Sequence, residues 1–393
     1  MFNVLLACYA NWDSCAEIPY ILKLAGCNVD VYCSKKSWLL SNSYFDNWIP
    51  SEKDKHKYAS SLENLVKKKN YDWVVLTDDV AIDLMNNFLL NEALFCKIMP
   101  IKNIQNRFLL SSKVGFSKFC FSNNIDSPNF HVYNNQDDLN SIKNNLNFPV
   151  VNKTDFGSGG INMVVSNSFE DFQINLSKIQ QNNNTLIQEY LKGEEIQVEA
   201  LFFEGYLVTY LTSSNLSTVG NLFSPTTRRN YFYDEKLKPY LTKMGELIGL
   251  NGFASITYIK YLDKYYLIEV DPRINSWMSH SRFIMPENFI YGVKKIINGD
   301  FKKPTQSFEI KYINIEVAYF LRDIQRIISK NQWFDLYRWI FNVHGYWKYI
   351  PFYDSKLFIR TMKRITKMLF DETKYKLINL IIKSYKFIKC RKF

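Results

Sequence analysis

Three short stretches hold residue types that could do chemistry together. In "YLIEVDPRIN" (266–275), Glu269, Asp271 and Arg273 occupy every second position. Alternation along a strand puts all three side chains on one face. Two neighbouring carboxylates are hard oxygen ligands of the kind magnesium takes together with phosphate oxygens. The arginine beside them can hold a phosphoryl group or a carboxylate in a fork. A solvated strand face is the competing reading. In "VVNKTDFGSGGINMVV" (150–165), Lys153 ends one strand, Gly157, Ser158, Gly159 and Gly160 follow, and a second strand comes next. Backbone N–H groups of such a loop can close on phosphate oxygens because no side chain intervenes, and Lys153 adds a point charge. A glycine hairpin without a ligand fits the same residues. The pattern G-x-x-x-x-G-K-[ST] is absent, and a strand rather than a helix follows. In "IQEYLKGEEIQVEALF" (187–202), Glu189 and Glu195 flank a turn at Lys192-Gly193. A nucleotide would use both acids, one for the adenine amino group and one for the ribose hydroxyls. The backbone of Tyr190 and Leu191 would then meet the adenine edge. Solvated turn carboxylates are the alternative.

Taken in order, these stretches form a series: Lys113 in a helical segment, Lys153 before the glycine loop, E-Y-L-x-G-x-E at 189–195, and E-x-D-P-R at 269–273. The series resembles that of the ATP-grasp superfamily, and the resemblance spans roughly residues 1–300. Residues 268–300 look most like the carbamoyl-phosphate-synthase-like and D-aspartate-ligase-like carboxylate–amine ligases. The resemblance implies that Lys113 and Lys153 reach ATP phosphates, the glycine loop covers them and Glu195 holds the ribose. It also implies that Glu269 and Asp271 hold Mg2+ (or Mn2+), with Arg273 at the reacting group. The implied activity is an ATP-dependent C–N ligase: a carboxylate becomes an acyl phosphate, an amine attacks it, and ADP and phosphate leave. Metal and lysines would neutralise charge on the moving phosphoryl group. One position departs from the family pattern. Where relatives place Asp, Glu or Gln on the preceding strand as a further metal ligand, this chain has Thr257. Two alternatives follow: a non-catalytic nucleotide-binding scaffold or sensor at a membrane, and a phosphotransferase acting on a non-carboxylate acceptor.

The elements that must position these residues can be read coarsely. "FNVLLACY", "NVDVYC" and "DWVVLTDD" alternate with helical segments, one ending at Leu24, which argues for a parallel α/β unit over residues 1–100. Ligands of such sheets sit beyond the strands' carboxyl ends, making Asn11, Asp13, Asp78 and Asp79 candidates for substrate contact or for helix caps. Residues 101–125 read as helical. From about 126 to 275 two-residue alternation recurs, with hairpins expected at Glu204-Gly205 and Asp263-Lys264. "STVGNLFSPTTRRNYF" (217–232) reads as a loop whose Arg228 or Arg229 would close on a phosphate or carboxylate, or as a solvated surface loop. Ser276 and Asn275 fall within reach of the acyl site if a helix begins there, and His280 is equally structural or catalytic. Residues 301–393 read as long helices. The expected fold class is α/β plus α+β. It is an ATP-grasp fold with an N-terminal Rossmann-like pre-ATP-grasp domain (1–100), two ATP-grasp subdomains (101–184 and 185–300) and a basic helical extension (301–393).

The chain has 393 residues, 47% apolar and 22% charged, which excludes general disorder. Seven cysteines show no metal spacing, and the N-terminus lacks the pattern of a signal peptide, so a cytoplasmic location is expected. Charge is uneven. Residues 300–393 hold 20 Lys and Arg against 8 Asp and Glu, whereas residues 1–299 hold 29 against 30. In "KYKLINLIIKSYKFIKC" a helix would line up Lys376, Lys383, Lys386 and Lys389 opposite an aliphatic face. That pattern suits the surface of an anionic membrane, at its inner face, or packing on the protein's own core. No nucleic-acid reader motif accompanies the charge. Small-molecule carboxylate and amine substrates are the expected partners, an amino acid or an envelope polysaccharide among them, and homodimerisation would fit the superfamily.

Overall fold

The computed structural model describes residues 2–89, 91–134, 142–156, 163–178, 184–220, 224–284, 289–302 and 314–390, without the side chains of 373–390. The chain forms two compact units, residues 1–215 with 230–316, and residues 216–229 with 317–393.

The first unit begins with a parallel sheet of β1 (Asn3–Ala7), β2 (Asn28–Cys33), β3 (Asn47–Pro50) and β4 (Trp73–Leu76), ordered β3-β2-β1-β4. Helices α1 (Ile18–Leu24), α2 (Lys55–Lys68), α3 (Asp79–Phe88) and α4 (Glu92–Ile98) accompany it. β1 and β4 are buried almost throughout, as near-continuous apolar strands of a parallel sheet should be. β3 carries no apolar pattern because it is an exposed edge ending in proline, so the sequence hides it. Asp78 caps α3, accepting from Ala81 N at 3.0 Å, and the same carboxylate accepts from Tyr9 N at 2.9 Å. The end of β1 is thereby tied to the start of α3, and the capping reading of Asp78 holds.

A 3-10 stretch, Ile104–Leu110, precedes α5 (Lys113–Ser122). The helix expected over 101–125 is interrupted because Ser112 acts as an N-cap, accepting from Gly115 N at 2.8 Å. An antiparallel sheet follows, β5 (Phe130–Tyr133), β6 (Val150–Thr154), β7 (Val164–Ser166) and β8 (Thr185–Glu189), ordered β5-β8-β6-β7. With α6 (Phe169–Lys178) it encloses a small core around Phe172, Val150 and Ile187.

The second antiparallel sheet contains β9 (Glu194–Phe203), β10 (Tyr206–Thr218), β11 (Thr226–Phe232), β12 (Gly252–Tyr261) and β13 (Lys264–Asp271), ordered β13-β12-β9-β10-β11. Helix α7 (Lys238–Ile248) precedes β12, and α8 (Ser276–His280) and α9 (Phe289–Ile297) follow β13. The β9–β10 turn is Glu204-Gly205, with φ of 50° and 83°, the left-handed pair that matches a twisted hairpin. The β12–β13 turn falls one residue earlier than expected, at Leu262-Asp263 (φ 48° and 59°), because Lys264 already belongs to the ladder opposite Tyr261. One continuous core joins the parallel sheet to this one through Leu5, Leu76, Ile82, Ala200, Phe202 and Tyr258.

β14 (Ile315–Ala318) pairs with β11 and leads from the first unit into the second, where α10 (Phe320–Ser329) and α11 (Ser355–Cys390) follow. Within residues 301–393, read as long helices, the stretch from Ile315 becomes helical only at Phe320. Ile315 and Val317 alternate as a strand, and Tyr319 N donates to Thr227 O at 2.9 Å. Asp323, fully buried, joins the elements: its carboxylate accepts from Thr227 Oγ1 (3.0 Å), Arg326 Nε (2.9 Å) and Trp339 Nε1 (2.9 Å). Among the described residues no helix is long and apolar enough to cross a membrane.

Candidate active site

Lys153 is the penultimate residue of β6, with only 7% of its surface exposed, and its Nζ donates to Gln188 Oε1 on β8 at 2.7 Å. Burial pulls its pKa down to about 8; Glu269 opposes that shift and Lys113 reinforces it. Lys113 reaches the same place because Asp155 laces the start of α5 to the end of β6. The Asp155 carboxylate accepts from Val114 N (2.9 Å) and Ser112 Oγ (2.8 Å), and its carbonyl accepts from Lys113 N (3.1 Å). Gly157, Ser158, Gly159 and Gly160, expected to cover phosphates, lie outside the described residues.

The two antiparallel sheets are joined by residues 190–193. Glu189 closes β8 and accepts from Asn129 Nδ2 at 3.0 Å, Tyr190 N donates to Pro149 O at 3.0 Å, and the Leu191 side chain is buried. Gly193 passes so close to β12 that a Cβ there would stand 2.3 Å from the Lys260 carbonyl oxygen. Glu195 follows at the start of β9, and its Oε1 accepts from Gln197 Nε2 (2.6 Å) and Asn215 Nδ2 (2.9 Å).

Register places two rows across β9, β12 and β13: Gln197, Thr257 and Glu269 in one, Glu199, Ser255 and Asp271 in the next. Side chains at such positions share a face. Thr257, the departure from the family pattern, donates to Gln197 Oε1 at 3.3 Å, so Glu269 is the single carboxylate of its row. The charge of Asp271 is the main reason that the Glu269 pKa rises to about 7; burial adds to it, and Lys113 and Lys153 oppose it. Two carboxylates forced together in this way suit a divalent cation, which would relieve their repulsion. Among the described residues no group of three or more metal-ligating side chains occurs, so a cation held by Glu269 and Asp271 would complete its shell with phosphate oxygens and water.

Arg273 Nη2 donates to Asp271 Oδ2 at 2.8 Å, and its Nε donates to the Asp79 carboxylate at the start of α3. The guanidinium carbon lies 5.7 Å from the centre of the Trp12 ring. The arginine thus links the metal-type carboxylates to the parallel α/β unit, and Asp79 serves it as an ion-pair partner. A helix does begin at Ser276, with Asn275 as its cap: Oδ1 accepts from Trp277 N (2.9 Å) and Met278 N (3.2 Å). The amide of Asn275 donates to Glu199 Oε1 (3.2 Å) and Ser255 Oγ (3.1 Å). His280 is buried with Nδ1 2.9 Å from Ser276 O, and burial lowers its pKa to about 4, which keeps it neutral inside the fold.

Lys113, Lys153, Glu195, Glu269, Asp271 and Arg273 are therefore gathered within one unit. Arg228 and Arg229 belong to the other. The expected loop over 217–232 is mostly strand, since "TTRRNYF" alternates intermediate and buried positions along β11. Arg228 Nε donates to Ser217 Oγ (3.1 Å) and lies 3.7 Å from Asp323; Arg229 Nε donates to Thr226 Oγ1 (3.0 Å). Four contributors escaped the sequence reading: Asp155, Gln188, Gln197 and Glu199. The alternation Glu195, Gln197, Glu199 was a usable signal for two of them; the other two act through partners far along the chain.

Residues 111–276 match the model of the ATP-grasp domain. That stretch is similar to an ATP-grasp domain. Over 152 residues it is 28% identical to the carbamoyl phosphate synthase large chain of Clostridium botulinum (strain Loch Maree / Type A3), covering 36% of this chain and 14% of that one. The chain thus spans about a seventh of the length of that relative. Among solved structures it is similar to an L-amino acid ligase from Bacillus licheniformis (TM-score 0.54, 19% identity, 79% of this chain and 76% of that chain). It is also similar to the N5-carboxyaminoimidazole synthetase of Staphylococcus aureus complexed with ADP (TM-score 0.58, 12% identity, 77% and 79%). At these identities the structural likeness speaks for the ATP-grasp fold.

Proposed function

We propose that this ATP-grasp protein is an ATP-dependent ligase that joins a carboxylate to an amine through an acyl phosphate, releasing ADP and phosphate. The observation that carries the reading is the placement of Lys113 and Lys153 close to the Glu269–Asp271 pair, with Arg273 bound to the latter. In this reading the adenosine lies along residues 189–195, with Glu189 at the adenine, Glu195 at the ribose and the backbone of Tyr190 and Leu191 at the adenine edge. Lys113, Lys153 and the loop of Gly157, Ser158, Gly159 and Gly160 hold the phosphates. Glu269 and Asp271 hold Mg2+, which supplies charge neutralisation when bound. Arg273 orients the carboxylate to be activated, and release from Asp271 or Asp79 frees its fork for that group. No side-chain nucleophile is required, because the substrate carboxylate attacks the γ-phosphorus and the amine then displaces phosphate. The similarity to an L-amino acid ligase and to a carbamoyl phosphate synthase large chain supports a small carboxylate and an amine as substrates. A cytoplasmic location beside the inner face of the membrane, an envelope polysaccharide as acceptor and a homodimer complete the proposal.

The test is phosphate release from Mg-ATP by the purified chain, with amino acids offered in pairs. Release that needs both a free carboxylate and a free amine supports ligation. Turnover with a hydroxyl acceptor and no carboxylate would instead mark a phosphotransferase. Nucleotide binding with no turnover under any mixture would leave the scaffold reading, which the neutral Gln197–Thr257 pair favours.

A further inference from the structure

The second unit exposes apolar surface in a way the first does not. Trp333, Phe334, Ile340, Phe341, Trp347 and Phe352 fall within twenty residues and are between 46% and 84% exposed. Isolated exposed apolar residues are ordinary, but a concentration of large aromatic ones marks a contact surface. The segment that bears them is ordered by its other side chains. Trp339, Tyr346 and Tyr349 are buried, with ring centroids 4.8 Å apart for Trp339–Tyr346 and 5.8 Å for Tyr346–Tyr349. The exposed rings are therefore presented by a packed scaffold.

Helix α11 continues the surface. Leu357, Thr361 and Ile365, four residues apart, form its buried face. Ile359, Met362 and Phe370 lie on the other side, exposed to 52%, 37% and 69%. They line a groove with Phe358, Lys363 and Lys367. Phe352 stands 5.2 Å from Phe358, centroid to centroid, so the aromatic segment and the groove adjoin. A helix with two apolar faces, one already used by its own unit, has a second face to bury.

Charge selects what covers it. Residues 317–393 carry 17 Lys and Arg against 5 Asp and Glu. Three of those five acids are spent internally. Asp323 is enclosed by Arg326, Thr227 and Trp339, Asp335 pairs with Arg326, and Asp354 caps α11 by accepting from Leu357 N at 3.0 Å. Asp371 and Glu372 remain on α11 after Phe370, and Lys and Arg outnumber them beside the exposed aromatic rings. Trp, Phe and Lys together suit a bilayer interface, where rings enter the headgroup region and cations meet anionic lipid.

We propose that the Trp333–Phe352 segment and the outer face of α11 form a docking surface for an anionic phospholipid bilayer. This deepens the membrane part of the proposed function and is independent of ligation, since it is read without nucleotide. The experiment is co-sedimentation of the full chain with phosphatidylglycerol-containing vesicles and with pure phosphatidylcholine vesicles, at low and high salt. Binding to the anionic vesicles, weakened by salt, is expected. Phe334→Ser with Phe341→Ser should weaken it about tenfold, since exposed rings lost from an interface cost burial only on the membrane. Lys363→Glu with Lys367→Glu should weaken it as well. Phe121→Ser, removing a ring 77% exposed in the first unit, should bind as wild type does. Unchanged melting temperatures exclude unfolding as the cause. No binding to anionic vesicles, or equal binding by all variants, overturns the proposal. So does self-association or nucleic-acid binding that is lost in the same variants while vesicle binding is not.

Discussion

Replacing Glu269 by Gln should make the protein more stable and at the same time disable its proposed metal site. The Glu269 carboxyl is displaced from 4.5 to about 7. At about 1.4 kcal/mol per pKa unit that is about 3 kcal/mol against the ionised form. The side chain keeps part of its surface in solvent, so screening makes this a ceiling. The sign follows from proton counting. The folded pKa lies above the unfolded one, so between 4.5 and about 7 the folded state binds more protons than the unfolded state. Stability therefore falls as pH rises through that window and the loss is complete above it. Gln cannot ionise, so Glu269→Gln should gain up to about 3 kcal/mol near pH 8 and little near pH 5. Urea unfolding at both pH values measures this. Repeating it with Mg-ADP should show that the wild type gains stability from the nucleotide and the variant gains much less. A variant destabilised equally at both pH values would refute the electrostatic argument. A variant with undiminished Mg-ADP stabilisation would refute the assignment of Glu269 to the metal.

Three further substitutions probe how the site is held. Gly193→Val puts a Cβ within 2.3 Å of the Lys260 carbonyl, so it should cost about 1–3 kcal/mol in thermal unfolding and weaken ATP binding by displacing residues 189–195. Asp155→Ala removes the acceptor of Val114 N and Ser112 Oγ and should cost about 1–2 kcal/mol, with a fall in ATP affinity because Lys113 loses its anchor. Lys153→Met should raise the ATP Kd at least about tenfold without lowering the melting temperature, since it removes a buried charge that folding does not favour.

Much of the first unit was legible because its signals are local. The apolar runs of β1, β2 and β4 and the turn at Glu204-Gly205 follow from composition and the φ > 0 requirement alone. Glu269 and Asp271 could be assigned to one face because strand period fixes it, and register then brought Glu269 opposite Thr257; Arg273 lies two residues beyond the end of β13 and meets Asp271 through an ion pair instead. What sequence could not give was set by partners distant in the chain. Asp155 reads as a loop acid until Ser112 and Val114 are brought to it, and Arg273 reads as a free fork until Asp79 is found beside it. β14 was hidden at the start of a helical pattern because a four-residue strand is too short for its alternation to stand out from the helix that follows at Phe320. The segment of Arg228 and Arg229 was read as loop for a related reason. Pro225, Gly220 and two serines punctuate 217–232 as a loop would, while the alternation that makes β11 begins only at Thr226.

The direction of two pKa shifts says more about the site than any single contact. Were Lys153 and Glu269 a direct ion pair, each would favour the other's charge, and the lysine would rise while the acid fell. Instead Lys153 is lowered to about 8 and Glu269 is raised to about 7. The lysine donates its hydrogen bond to the neutral Gln188, and the acid faces another carboxylate, so among the described residues neither charge has a close counterion although each feels the other. That arrangement costs stability in the unliganded protein. It is resolved by a ligand carrying both signs, anionic toward Lys113 and Lys153 and cationic toward Glu269 and Asp271. A magnesium–phosphate group has that polarity, and an uncomplexed anion or cation has only half of it. Mg2+ and ATP should accordingly bind with strong mutual enhancement, each tightening the other, and titration of either alone should give much weaker affinity than titration of the pair. Independent binding of the two would mean that the opposed shifts reflect burial alone and that the charges were not arranged for a shared ligand.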